Sequence, residues 1–177
     1  CGEGFCASGH CFAGVDSDEM AGMLDRWTNS IELVGSHTHL LVANDEAREL
    51  RRELIEGAQH SVHFTAFIIE DDEAGAEMVE LFTAAAQRGV EARVIVDAST
   101  QYSFSSYDVL ARLAAGGVQV LTFNAAVEWA GLRAELDLGE GLELTVNDRL
   151  HEKLLVVDGT DAVMGGRNVG MDYLDPS

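Results

Sequence analysis

The chain has 177 residues, 47% of them hydrophobic, and its 31 acidic against 11 basic side chains give a net charge of −20. That length buries one good core and implies a single globular domain, and apolar runs as short as Leu40–Val42 and Phe67–Ile69 cannot span a bilayer. The charge repels nucleic-acid phosphates and anionic membrane surfaces, so a polyanion has to meet a local basic site; adaptation to salt is a second origin for the same acidity.

Cys1, Cys6 and Cys11 stand five apart in a Gly-rich opening. The spacing is compatible with a disulfide plus a free or modified thiol, or with a piece of a longer cysteine-rich region. Cys1-Gly2 also matches the lipidated start of a bacterial lipoprotein, which would place the protein in the cell envelope. Zinc is disfavoured, because His10 and Cys11 are adjacent rather than at ligand spacing. The absence of an initial Met implies a processed or excerpted start. Residues 1–30 read as a poorly ordered leader or linker, and 31–177 as the domain proper.

Order begins near Ile31, and His37 to Val42 is predicted to be a strand. Asn44 or Asp45 then caps an amphipathic helix with Ala47, Leu50, Leu54 and Ile55 on its apolar face. A strand follows over His60 to Ile69. The next helix, Glu73 to Arg88, turns Met78, Leu81, Phe82 and Ala85 inward, with Asp71-Asp72-Glu73 at its N-terminus and Gly89 as its stop. Ala92 to Val96 reads as a buried strand ending in Asp97, Tyr107 to Ala115 as a helix closed by Gly116-Gly117, and Val118 to Phe123 as a further strand. This alternation predicts an α/β layer fold with a largely parallel sheet. Residues 124–150 form an acidic excursion containing Glu128, Glu135, Asp137, Glu140 and Glu143. A strand Leu150–Val157, a turn Asp158–Asp161 and a strand Ala162–Gly165 come last.

Lys153 is the only lysine in the chain, two residues after His151. Alternation along a strand puts both on one face, where an imidazole and an ammonium together suit a phosphate: a nucleophile beside a neutralising charge. If Gly159-Thr160 forms a two-residue loop, Lys153 opposes Gly166 and His151 opposes Asn168; if the turn centres on Asp158-Gly159, Asn168 overhangs by two residues. Gly165 and Gly166 leave room for a ligand at the backbone.

His151, Lys153, Asp158, Gly165, Gly166 and Asn168 together resemble the HKD motif of the phospholipase D superfamily. Gly166 to Leu174 looks like the segment after the first motif of bacterial cardiolipin synthases. Ala58–His63, Asp71-Asp72, Gln87–Glu91 and Val94–Asp97 are similar to the same family's opening order. The resemblance covers about residues 37–174. It implies a layered α-β-α domain with a mostly parallel mixed sheet and no cofactor or metal. It also implies phosphodiester hydrolysis or phosphatidyl transfer through a phosphohistidine, on a phospholipid or other phosphodiester and in a membrane-associated setting. His151 would be nucleophile or acid/base. Lys153, Asn168 and the Gly166 backbone would bind phosphate. Asp158, a member of the catalytic motif, would orient the turn.

The family site needs two motifs, and a single lysine allows one. The second half would come from the same full-length chain or from a homodimer partner. Thr65, Ala66 and Phe67 stand where relatives often have Glu-Tyr-Tyr, and the approach to the motif is acidic where lipid-directed relatives tend to be basic. The alternatives are a homodimeric nuclease, which the charge disfavours, and a non-catalytic phosphate-binding half-domain. Elsewhere, His60 and His63 read as packed or edge histidines, and His37 with His39 lacks a third metal ligand. Tyr102 to Tyr107 reads as a connecting loop, with a substrate loop as the alternative.

Overall fold

The computed structural model describes residues 6–7, 10–11, 18–28, 35–101, 106–123 and 149–174, in two compact units, Cys1–Leu40 and Leu41–Ser177. In the first, strands β1 (Cys6–Ala7) and β2 (His10–Cys11) pair antiparallel with Cys6 opposite Cys11, and α1 spans Asp18–Thr28. Helix α1 lies inside the stretch read as leader. Met20, Met23, Leu24 and Trp27 recur there at the helical i, i+3, i+4, i+7 spacing. Residues 36–40 form no strand, contrary to expectation. They are exposed and, among the described residues, have no neighbouring strand to satisfy their backbone groups.

The second unit is built around a five-stranded sheet. Its elements are α2 (Asn44–Gly57), β3 (Ser61–Ala66), α3 (Glu73–Gln87), β4 (Glu91–Asp97), α4 (Ala98–Gln101), α5 (Ser106–Ala115), β5 (Gln119–Phe123), β6 (Leu154–Val157), β7 (Asp161–Met164) and α6 (Met171–Leu174). The strand order is β5-β4-β3-β6-β7, with β3, β4 and β5 parallel and β6 and β7 antiparallel to their neighbours. The sheet is therefore mixed, and the α/β class is the expected one. Both parallel crossovers run the same way across the sheet, which puts α3 and α5 on one face, where they pack together. That face buries Val62, Phe64 and Ala66 of β3, Val94 and Val96 of β4 and Leu155 of β6 against Ile55, Phe82 and Leu113. Arg93 on β4 is exposed, so this strand is buried on one face and not on both. His63 stands on the same open face, 2.9 Å from the Glu91 carboxylate.

Helix ends follow local chemistry. Asp72 caps α3, its Oδ1 accepting from Gly75 N at 3.0 Å. Gly89 and Gly117, with φ of 88° and 91°, close α3 and α5, and the next residue in each case donates back to a helix carbonyl. Neither Asn44 nor Asp45 caps α2, whose N-cap is Ala43. Asn44 Oδ1 instead accepts from Arg167 Nε at 2.8 Å, and Asp45 Oδ1 binds the adjacent Glu46 N. The packed face of α2 also buries Arg51 between Ala47 and Ile55.

The last hairpin departs from the expected register. Val157 pairs with Asp161, so the loop is Asp158-Gly159-Thr160, with φ of 52° and 69° at its first two residues. Regular pairing of β6 begins at Leu154 and not at Leu150, because β3 ends at Ala66 and the chain beyond it pairs with Val169 instead. Among the described residues no helix is long and apolar enough to cross a membrane. Glu128 to Glu143 and Tyr102 lie outside the described residues.

Candidate active site

His151, Glu152 and Lys153 form an extended lead into β6, at the edge of the sheet where parallel strands β3 and β4 end. Ligands of open α/β sheets bind at this carboxyl edge. The Phe67 ring, one residue past β3, organises the cluster. The His151 imidazole packs on it at 4.8 Å between centroids with the planes tilted 56°, and Lys153 Nζ lies 5.1 Å from its centroid. The two side chains thus share one side, as alternation predicts. They differ in exposure: His151 faces solvent, whereas Lys153 is only 4% exposed.

The Lys153 ammonium donates to the His151 carbonyl at 2.7 Å. Burial holds its pKa below the ordinary lysine value, and no carboxylate among the described residues offsets that effect. In a chain of 31 acids this is an ammonium set against a π-face and a carbonyl, with donor capacity left for an incoming anion.

Asn168 joins the cluster by a route the hairpin count did not foresee. Gly165 N donates to Lys153 O, so Lys153 opposes Gly165 and not Gly166, and His151 does not oppose Asn168. Asn168 is buried, and its Oδ1 accepts from Ile68 N at 3.2 Å, while Val169 N donates to Ile68 O at 3.2 Å. The residue after Phe67 therefore holds Asn168 by its side-chain oxygen. Gly165 and Gly166 are exposed, and a Cβ at either would meet no atom within 4 Å.

Asp158 is not brought to His151. It lies beyond the far end of β6, roughly 17 Å of extended chain from Lys153. Its Oδ1 accepts from His60 N and Ser61 N at 2.7 and 2.8 Å, and its Oδ2 from Gln59 N at 2.9 Å. These amides, Ser61 foremost, hold its pKa below the usual carboxylate value. Its place in the motif is explained by the hairpin and the start of β3, not by contact with the histidine.

Four supporting residues escaped the sequence reading. Phe67 is the platform. Asp97, fully buried at the end of β4, accepts from Leu150 N at 2.8 Å, directly before His151. Arg167 clamps the entry to α2 through Asn44 and the carbonyls of Leu41 and Val42. Arg51 donates to Arg167 O at 3.3 Å, next to Asn168, and burial together with the Arg167 guanidinium depresses its pKa. The apolar spacing of Ala47, Arg51 and Ile55 was the legible signal for Arg51. Among the described residues no group of three or more His, Cys, Asp and Glu is arranged to hold a metal ion.

A family model described as "Cardiolipin synthase, PLD-like domain" matches residues 52–176. Cardiolipin synthase A of Pseudomonas fluorescens is 32% identical over 142 residues, covering 80% of this chain and 27% of that protein. The cardiolipin synthase of a Geobacillus strain is 28% identical over 141 residues, 80% of this chain and 26% of its own length. The chain thus spans about a quarter of the curated relatives it matches. Among solved structures, the phospholipase D family member Nuc of Salmonella typhimurium superposes with a TM-score of 0.54 at 18% identity, over 75% of this chain and 71% of Nuc. NucT of Helicobacter pylori gives 0.53 at 14%, over 76% and 74%. At these identities the two structures speak for the fold.

Proposed function

The chain belongs to the phospholipase D-like domain family of cardiolipin synthases, and on that premise we propose that it supplies one phosphate-gripping half of a site that cleaves or transfers a phosphodiester. The observation that carries this reading is the buried Lys153 ammonium, which has no carboxylate partner among the described residues and stands beside an exposed imidazole. His151 acts on the substrate as nucleophile or as acid/base. As nucleophile its ring nitrogen bonds to phosphorus while the bond to the leaving alcohol oxygen breaks. As acid it gives that oxygen its proton. Lys153 and the Asn168 amide bind the non-bridging oxygens, where charge concentrates as the bond breaks. The second histidine and lysine come from another half, in the longer protein or in a second copy, because this chain has no second His-x-Lys.

The relatives named as cardiolipin synthases support a phosphatidyl group as the transferred unit and a membrane surface as its source. The test is an alkaline denaturing quench of the full-length protein during turnover of a labelled phosphodiester, conditions in which a phosphorus–imidazole bond survives. A covalent adduct on His151, or one on a second histidine that accumulates in His151→Ala, is the expected result. No adduct in either protein contradicts the phosphohistidine route.

A further inference from the structure

Asp97 is the one fully buried charged side chain among the described residues. A carboxylate at that depth is retained only where donors compensate it. Among the described residues, donors come from two places. Oδ1 accepts from Ser99 N and Ser99 Oγ in the local turn after β4, at 2.8 Å from the amide. Oδ2 accepts from Leu150 N at 2.8 Å, 53 residues away, and Arg149 Nη1 approaches Oδ1 at 3.9 Å. The second set lies immediately before His151.

Geometry gives this tie its consequence. Strand β6 reaches its last pairing at Leu154, opposite Thr65. Residues 150–153 then have no ladder partner in the sheet, and the chain leaves β3 toward the end of β4. Inside this span Lys153 Nζ donates to His151 O, and among the described residues its two ends are each tied to the rest of the fold. At one end Gly165 N donates to Lys153 O; at the other Asp97 holds Leu150 N. His151 sits between them, with its imidazole laid on Phe67. Loss of the Asp97 tie leaves the histidine on a segment fixed at one side only.

We propose that Asp97 is a positioning residue for His151, acting through the Leu150 amide to fix the imidazole over Phe67. This rests on the reading of His151 as the reacting group, and the two are separable by experiment. Oδ1 meets both the Ser99 turn and Arg149, whereas Oδ2 holds Leu150 N, the tie that sets the approach of the histidine. Asp97→Asn tests that tie. The amide is isosteric and keeps one acceptor, but an NH2 in place of Oδ2 cannot accept from Leu150 N.

The experiment uses the full-length protein with 13C-labelled histidine, the His151 ring signal being identified by its loss in His151→Ala. Asp97→Asn is expected to shift and broaden the His151 signal while those of His60 and His63 stay in place. In turnover, kcat falls roughly 10- to 100-fold with KM within about twofold, the pattern of a misplaced reacting group. Ser99→Ala, which removes one donor from the Oδ1 side, is expected to leave the His151 signal unmoved. A His151 signal unchanged in Asp97→Asn, or displaced as far by Ser99→Ala, overturns the proposal. The unaltered protein provides a second measurement, independent of whether the variant folds: Leu150 N–H exchanges with solvent as slowly as the amides of β4, and exchange at an open-loop rate overturns it. If the wild-type protein turns over no phosphodiester, the functional reading fails while the ring signal and the exchange rate still decide the positioning role.

Discussion

Lys153 Nζ lies 5.1 Å from the centre of the Phe67 ring, and that ring also supports the His151 imidazole. One aromatic side chain thus sets the spacing between the two groups of the motif. The ring face stabilises the ammonium without neutralising it, as a carboxylate would, so the charge stays available to a ligand.

The ammonium is a cost to the fold. Lys153→Met keeps the length and apolar stem and removes a buried charge that has no carboxylate partner among the described residues. Stability at neutral pH should rise by about 1 kcal/mol, while turnover is lost. Burial lowers the lysine pKa, so the cost is full below that value and shrinks as the alkaline range is entered. Urea unfolding of both proteins at neutral and alkaline pH checks this: the gap should narrow as pH rises.

Phe67→Leu removes the platform but keeps an apolar side chain. The ammonium loses its π-face and the imidazole its packing partner, worth about 0.5–2 kcal/mol. Turnover should fall roughly tenfold, whereas Phe67→Tyr should stay near wild type. Steady-state kinetics of the two variants, side by side, decide it.

Asn168 has two separable roles. Asn168→Ala leaves the Ile68 amide without its acceptor and should cost about 1–3 kcal/mol of stability. Asn168→Asp keeps that acceptor but puts negative charge where a phosphoryl oxygen would lie. It should fold normally and lose at least about a hundredfold in kcat/KM. Thermal melts with kinetics distinguish the two losses.

Asp158 makes a prediction about pH and not about catalysis. Its folded-state pKa lies below the unfolded value, so its contribution to stability is present above the ordinary carboxylate range and is lost as pH falls through the folded value. Asp158→Asn should therefore be less stable than wild type at pH 7, with the difference shrinking as the medium is acidified below about 4. Residual activity per folded molecule should be unchanged. Denaturation midpoints across that range measure the first, and activity normalised to folded protein the second.

Much of the sheet was legible because each β-α-β unit announces itself locally. Asp72 starts α3, Gly89 and Gly117 stop α3 and α5, and the apolar period switches between two and about 3.6. What failed depended on tertiary partners. His37–Val42 has strand-like residues but, among the described residues, no strand beside it. Asn44 has a capping side chain, but Arg167, 123 residues away, occupies it. The register of β6 and β7 turned on whether the loop held two residues or three, and a shift of one moved Asn168 away from His151. Asn168 is tied to the chain beside Phe67 through the Ile68 amide, a backbone contact no spacing encodes. Helix α1 was a different kind of miss: the helical spacing of Met20, Met23, Leu24 and Trp27 was present and passed over among glycines.

The central claim is that His151 performs the chemistry on a phosphodiester held by Lys153 and Asn168. The direct measurement is the turnover of a phosphodiester by the full-length protein with and without His151→Ala, in the same preparation and at matched fold content. The expected loss is about a thousandfold or more. Wild-type turnover in His151→Ala contradicts it.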